Sequence, residues 1–390
     1  MKLKKINSAR MPVYRDSGFE LLNSKLTAET FRQETENKRE PENYIYSRYR
    51  NPTVVSAENE VIKLENCNWA LLTQSGMSAI DTALSVFQKG KNTRPWLFFS
   101  EIYGGSISFV ESVLKQRRGI DAHYFNPSGE SYILKDFEKT LRILKPELVY
   151  VESVSNPMLI VADIPALVKI AKKADCRVIL DNTFATPYLF RPLECGVDLV
   201  IHSVTKYLSG HGNISAGVVC GNDEQLLKKA IEYRKFVGHM MSPDDAYRLE
   251  TQIKTFSLRF QRQCDNAFRL AAYLSENKKI ERVWYPGLVS HGTYEVARKL
   301  FNSKGFGAMI TFDLKGRSKA EKAVKRDRFI SEVSESIKLI PTLGDPDTIL
   351  MPVEAVWGAK YPEPGMIRLS VGFEEYEGLE NIIASALKKL

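Results

Sequence analysis

Between about residues 50 and 240 the chain alternates short apolar runs with segments of helical period, and that alternation limits the folds open to it. Trp96-Leu97-Phe98-Phe99, Leu148-Val149-Tyr150-Val151, Val178-Ile179-Leu180 and Leu199-Val200-Ile201 are short and continuously apolar, as strands covered on both faces are. Between two of them Ile164, Leu167, Val168 and Ala171 share one helical face, opened by Asp163 and Pro165, residue types suited to a helix start. The alternation predicts an α/β chain with a mostly parallel central sheet, whose ligand chemistry gathers at the carboxyl ends of the strands.

Charged and hydroxyl side chains follow two of these strands. The run 178–180 ends in Asp181, and the run 199–201 leads into His202-Ser203-Val204-Thr205-Lys206 and a Gly-rich turn. A lysine just past a buried strand sits where desolvation lowers its pKa and frees its amine as a nucleophile, as a Schiff-base lysine requires. Pyridoxal phosphate needs such an amine for its aldehyde and an acid to keep its pyridine nitrogen protonated. Lys206 and Asp181 supply both groups. A phosphate site is expected at Thr73-Gln74-Ser75-Gly76-Met77-Ser78, which opens a helix carrying Ile80, Ala83, Leu84 and Phe87 on one face. Gly76 lets the backbone approach closely, and a helix start attracts phosphate. Ser203 and Thr205 add hydroxyls. Taken singly these are a turn acid, a solvated lysine and an ordinary helix cap; together they are specific.

Seven ordered stretches then resemble the pyridoxal-phosphate (PLP) enzymes of cysteine and methionine metabolism, among them cystathionine synthases and lyases, methionine gamma-lyase and O-acylhomoserine sulfhydrylases. They are Tyr46-Ser47-Arg48 with Asn51-Pro52-Thr53, Ser75-Gly76-Met77, Tyr103-Gly104-Gly105, Ser155-Asn156-Pro157, Asp181-Asn182-Thr183, Ser203-Val204-Thr205-Lys206 and Arg368-Leu369-Ser370-Val371-Gly372. The resemblance implies an aminotransferase-like fold (fold type I) with a smaller α+β C-terminal domain. It divides the chain into an arm at 1–48 contacting the neighbouring subunit, a PLP-binding domain at 49–244 and a C-terminal domain at 245–390. It makes Lys206, Tyr103 and Asp181 the catalytic residues. Tyr103 stacks on the cofactor ring, Asn156 donates to its phenolic oxygen, and Ser75, Gly76, Met77, Ser203 and Thr205 complete its site. Tyr46 and Arg48 reach the phosphate of the neighbouring subunit's cofactor, implying a homodimer or homotetramer with shared active sites. On the substrate side Arg368 clamps the α-carboxylate, aided by Asn156 and Thr342.

The departures narrow the function. Cystathionine-handling relatives carry charged residues for the distal end of their substrate, where Ile45, Ser108 and Pro341 stand here. A neutral pocket leaves a second ammonium and carboxylate unpaired, which is costly. Thr342-Leu343-Gly344-Asp345 looks more like the version in methionine gamma-lyases and O-acylhomoserine sulfhydrylases, with Thr342 in place of the usual serine. Gly105 stands where those gamma-lyases often carry cysteine, and Met351-Pro352-Val353-Glu354-Ala355-Val356-Trp357 replaces the usual His-Pro-Ala segment. The reading favoured is α,γ-elimination from a small sulfur amino acid, with γ-replacement as the alternative and cystathionine cleavage behind both.

Rivals from other classes are weaker. Ser203-Val204-Thr205-Lys206 also fits the S-x-x-K motif of serine acyl enzymes, but no Ser-Asp-Asn or Lys-Thr-Gly follows. A regulatory subunit that keeps the fold, and an aminotransferase, share the same residues. Net charge +8 is spread among 47 acids without a block of like charges, so no nucleic-acid partner is expected. Five cysteines without a C-x-x-C pair argue against disulfides and metal. No apolar run approaches the ~20 residues of a membrane span, and Met1-Lys2-Leu3-Lys4-Lys5-Ile6-Asn7 is no secretory signal, so a cytoplasmic setting is expected.

Overall fold

The computed structural model describes residues 10–90, 94–302 and 304–390; the leader reading at Met1–Asn7 lies outside them. Seven strands, β1 Trp69–Thr73, β2 Trp96–Phe99, β3 Ala122–Phe125, β4 Leu148–Glu152, β5 Arg177–Asp181, β6 Leu199–His202 and β7 Gly217–Gly221, form one sheet in the order β1-β7-β6-β5-β4-β2-β3. Neighbours from β6 across to β3 pair in parallel, and β7 runs antiparallel to both β1 and β6. The sheet is therefore mostly parallel, as the alternation predicts. The four runs singled out in the sequence are β2, β4, β5 and β6. Every residue of β1, β2, β4, β6 and β7 is buried. Helix Gly76–Ser85 packs on β6 and β7, Pro52–Glu65 on β1 and Ile164–Lys173 on β5.

Five further strands, β8 Ile280–Trp284, β9 Met309–Leu314, β10 Lys338–Leu339, β11 Ile349–Pro352 and β12 Met366–Ser370, form a second sheet in the order β10-β11-β12-β9-β8. Only β10 and β11 pair in parallel. Phe312, Leu350, Ile367 and Leu369 from this sheet share a core with Leu270, Phe329 and Ile383 from three helices. Together they make the smaller α+β unit. Helix Phe256–Glu276 serves both cores: Phe256, Phe260 and Cys264 belong to the first, Ala267, Leu270 and Leu274 to the second.

The stretch that leads into this unit, whose polar and apolar spacing alone reads as one long helix from about 245 through Tyr273, is two helices, Pro243–Ile253 and Phe256–Glu276. The break has a polar cause. The Arg259 guanidinium donates to the carbonyls of Gln252 (3.1 Å), Tyr207 (3.2 Å) and Leu208 (3.2 Å), so a carbonyl released at the helix end is satisfied by a side chain. Among the described residues no helix is long and apolar enough to cross a membrane, and no cluster of three or more metal-ligating side chains occurs.

A buried ion cluster ties β1 to the two helices beside it. Glu58, 1% exposed, pairs with Arg50 (2.8 Å) and Arg234 (3.2 Å) and accepts from the Leu72 N–H (3.0 Å). Arg234 also donates to the Leu72 carbonyl at 2.8 Å. Replacing Glu58→Ala strands two guanidinium groups in the interior, a change that costs about 3–5 kcal/mol. Urea unfolding of the variant beside the parent checks this; a loss under ~1 kcal/mol contradicts the assigned role.

Candidate active site

β4, β5 and β6 end in Glu152, Asp181 and His202, with Glu152 opposite Asp181 and Asp181 opposite Ile201 in the parallel register. Beyond these ends lies a cleft of about 500 Å³. Ser75, Gly76, Met77, Tyr103, Asn156, Asp181, Ser203, Thr205, Lys206, Thr342 and Arg368 all line it, although the sequence separates them by up to 293 positions (368 − 75). Tyr46 and Arg48 do not. Arg48 donates to the Lys235 carbonyl (2.6 Å) and lies over the rings of Tyr46 and Tyr49 at 5.6 and 5.0 Å. Tyr46 is 40% exposed. Both belong to an arm that carries helix Ser24–Glu34 and folds back through a Gly18–Tyr46 bridge.

At one end of the cleft helix Gly76–Ser85 begins. Ser75 is extended, and its hydroxyl accepts from the Ser78 N–H (3.1 Å). The N–H groups of Gly76 and Met77 belong to the first turn and have no intrahelical acceptor, a donor set that suits a phosphate. A Cβ at 76 would come within 2.9 Å of Ser203 Oγ and 3.0 Å of its Cβ, so glycine is what lets the helix start lie against Ser203. The Thr205 hydroxyl is engaged differently: it donates to the Ala216 carbonyl (3.1 Å) and accepts from its N–H (2.9 Å).

On the cleft floor Asp181 is buried and accepts from the Thr183 N–H (2.9 Å) and the Tyr150 hydroxyl (3.4 Å). Burial pushes its carboxyl up, while the Thr183 bonds and His202 pull it back. Glu152 is raised far more, by burial first and then by Asp181. Two carboxyls on adjacent strand ends do not both ionise readily. Burial and Asp181 push Glu152 further toward its protonated form than Asp181, and a cation placed against Asp181 favours the ionised form there. Glu152 also accepts from the Tyr103 N–H at 2.6 Å, anchoring the turn that presents the tyrosine. Sequence reasoning missed Glu152, although the signal was the one used for Asp181: an acid closing an apolar strand run.

Lys206 Nζ donates to Thr342 Oγ1 at 2.7 Å. Burial and the charge of Arg368 hold its amine below the ordinary lysine value, against a smaller opposing pull from Asp345. Arg368, on β12, donates to the Thr342 carbonyl (2.8 Å) and Asn156 Oδ1 (3.1 Å). It is 4% exposed, its Nε is buried without a partner, and it forms no ion pair among the described residues. Burial lowers it to about 10, so it stays cationic at neutral pH. A buried guanidinium without a carboxylate is costly to hold and suits an incoming one. Tyr103 stands at the mouth, 52% exposed, with its ring so close over Gly105 that a Cβ there would collide with it.

One wall, beside Arg368, is apolar: Pro341, Leu343, Met351, Val356 and Trp357. Ile45 and Ser108, the other two positions singled out as distal, are not among the lining residues. The segment carrying Trp357 is strapped to the loop before Tyr103, since Lys360 pairs with Glu101 (3.0 Å) and donates to the Ser100 carbonyl (2.9 Å), and the Tyr361 hydroxyl bonds Glu101.

A helix start with open N–H groups, a buried acid and a neutralisable amine around one cleft fit pyridoxal phosphate. The family described as Cys/Met metabolism PLP-dependent enzyme matches residues 2–388. The chain is 34% identical to an L-methionine gamma-lyase of Fusobacterium nucleatum subsp. polymorphum, over 97% of this chain and 93% of that protein. It is 32% identical to a cystathionine beta-lyase of Coxiella burnetii, over 93% and 91%. Its fold superposes with a TM-score of 0.84 on a crystal structure of cystathionine gamma synthase from Xanthomonas oryzae pv. oryzae, at 26% identity, covering 97% of this chain and 92% of that one.

The helix start yields a test independent of turnover. Gly76→Ala forces Ser203 and the helix apart, and losing one hydrogen bond to a charged group, about 1.5–3 kcal/mol, weakens PLP binding by at least about tenfold. Titration of the apoprotein with PLP measures this; an unchanged Kd contradicts a phosphate site at residues 75–77.

Proposed function

The chain belongs to the Cys/Met metabolism PLP-dependent enzymes, and from that premise we propose a methionine gamma-lyase-like activity: α,γ-elimination from a small sulfur amino acid to a 2-oxo acid, ammonia and a thiol. For methionine the balance is methionine plus water giving 2-oxobutanoate, ammonia and methanethiol. The observation that carries this reading is the composition of the cleft around Arg368, an unpaired guanidinium bordered by the uncharged side chains of Pro341, Leu343, Met351, Val356 and Trp357. A single carboxylate is matched there; a second amino-acid head is not.

PLP, when bound, supplies an electron sink for charge left on substrate carbon. The residues of this chain would do the rest. Ser75, Gly76, Met77 and Ser203 would hold the phosphate, Thr205 shaping the same end through its bonds to Ala216, and Asn156 and Tyr103 would fix the ring. Asp181 would hold positive charge at the ring nitrogen, relieving its own burial. Arg368, steadied by Asn156 and Thr342, would fix the substrate carboxylate in a fork that a lysine does not offer. Lys206 Nζ, with its pKa lowered, would take the proton from the substrate α-carbon and pass protons between neighbouring carbons. Tyr103 Oη would give a proton to the departing sulfur. Tyr46 and Arg48 would complete the cleft of a neighbouring copy in a homodimer or homotetramer, consistent with their distance from the cleft of their own chain. All five cysteines are free, in keeping with a reducing, cytoplasmic setting.

γ-Replacement is the second reading, and Gly105 favours it, because no thiol stands beside Tyr103 where the resemblance to gamma-lyases leads one to expect it. Product identification decides between them. Methionine and homocysteine are expected to yield 2-oxobutanoate; a product formed only from O-acetylhomoserine with sulfide assigns the replacement reading instead. Lys206→Ala is expected to lower kcat by at least about 10²–10⁴-fold.

The cleft charges also set a pH dependence. Burial and Arg368 lower the Lys206 pKa and Asp345 raises it. Asp345→Asn removes the raising influence, so the neutral amine appears at lower pH and the rising limb of the kcat–pH profile moves to lower pH. A shift in the opposite direction contradicts Lys206 as the proton acceptor.

A further inference from the structure

Among the described residues, the Trp357 ring is the aromatic face set against Arg368, the arginine proposed to bind the carboxylate. The Arg368 guanidinium carbon lies 5.6 Å from its centroid, inside the ~6 Å reach of a cation–π contact. The ring is held from both sides. Behind it pack Trp284, Val353 and Met366, with Tyr361 edge-on at 6.5 Å and 81°. In front, Lys360 and Tyr361 fasten the same segment to Ser100 and Glu101. Trp357 is thus a braced wall and not a loose loop residue.

A substrate whose carboxylate meets Arg368 must run its side chain past that wall. A sulfur placed against an aromatic ring gains a favourable contact, and the ring, its face already set against Arg368, carries no formal charge to balance a second ammonium and carboxylate together. We infer that Trp357 is a specificity-determining residue, selecting amino acids whose side chain is short, uncharged and sulfur-bearing over those that carry a second ammonium and carboxylate. The inference rests on the carbon–sulfur elimination proposed above and names what confines that chemistry to small substrates.

Trp357→Ala, Trp357→Leu and Trp357→Phe separate the wall's aromatic character from its bulk. The ratio of kcat/KM for methionine to that for cystathionine is expected to fall by about tenfold or more in the alanine variant and to stay within about twofold in the phenylalanine variant. Calorimetric titration of the holoenzyme with 4-(methylthio)butanoate, which has the carboxylate and thioether but no amine, gives a readout without turnover. Its Kd is expected to weaken about two- to tenfold in the alanine and leucine variants and to hold in the phenylalanine variant. An unchanged ratio and Kd in the alanine variant, or a phenylalanine variant as impaired as the alanine one, overturns the inference. If alanine does not fold, the leucine and phenylalanine Kd values decide. A parent enzyme that attacks no sulfur amino acid overturns the proposed function alone, and the calorimetry then decides the role of Trp357.

Discussion

Parallel pairing of β4, β5 and β6 is the constraint on which the site depends. Because the strands run the same way in register, their last residues reach one edge of the sheet together: Glu152 lies opposite Asp181, Asp181 opposite Ile201, and His202 follows one residue beyond. A polar residue there escapes the hydrophobic layers but not the low dielectric, so its ionisation answers to its neighbours. His202 bonds Glu65 at 3.0 Å, both buried, which places a further titratable pair behind the floor. The strand that closes this edge, β7, is antiparallel, and it brings Ala216 back against Thr205.

The charges of the cleft are arranged so that none is satisfied by another. Lys206 meets a hydroxyl, Arg368 meets a carbonyl and an amide oxygen, and Asp181 meets an N–H and a phenol. Direct salt bridges between them would quench the site, since a paired lysine keeps its proton and a paired arginine has no edge to offer. Thr342 serves both basic groups: its hydroxyl takes the amine and its carbonyl takes the guanidinium, fixing two side chains that repel when both are charged. A serine at 342 would serve as well, because both contacts use atoms that the two residues share.

The fold was legible where one physical signal sufficed. Continuous apolar runs disclosed β2, β4, β5 and β6, and an acid or lysine after such a run disclosed Asp181 and Lys206. β7, Gly217-Val218-Val219-Cys220-Gly221, is flanked by glycines that weaken a strand signal, and β10 is two exposed residues. The break before Phe256 was hidden because its cause, Arg259 reaching back to the Tyr207 and Leu208 carbonyls, is a contact about 50 positions away in the chain. Glu152 was legible by the same rule as Asp181 and was passed over. Tyr46 and Arg48 stand apart: nothing local in Tyr-Ser-Arg marks a ligand, and the structure keeps both away from the cleft of their own chain.

The apolar wall was the least legible part because two strands of the second sheet and the segment between them build it. Arg368 and Met351 come from β12 and β11 in register with each other, and Trp357 follows on the segment between those strands. Its brace runs to Glu101, 256 positions earlier (357 − 101), in the loop that presents Tyr103. The residue that lies over Arg368 and the residue proposed to protonate the leaving group are therefore held by one strap. Packing transmits small displacements because interiors are close-packed, so Lys360, Tyr361 and Glu101 are the contacts through which a change at Trp357 would reach Tyr103.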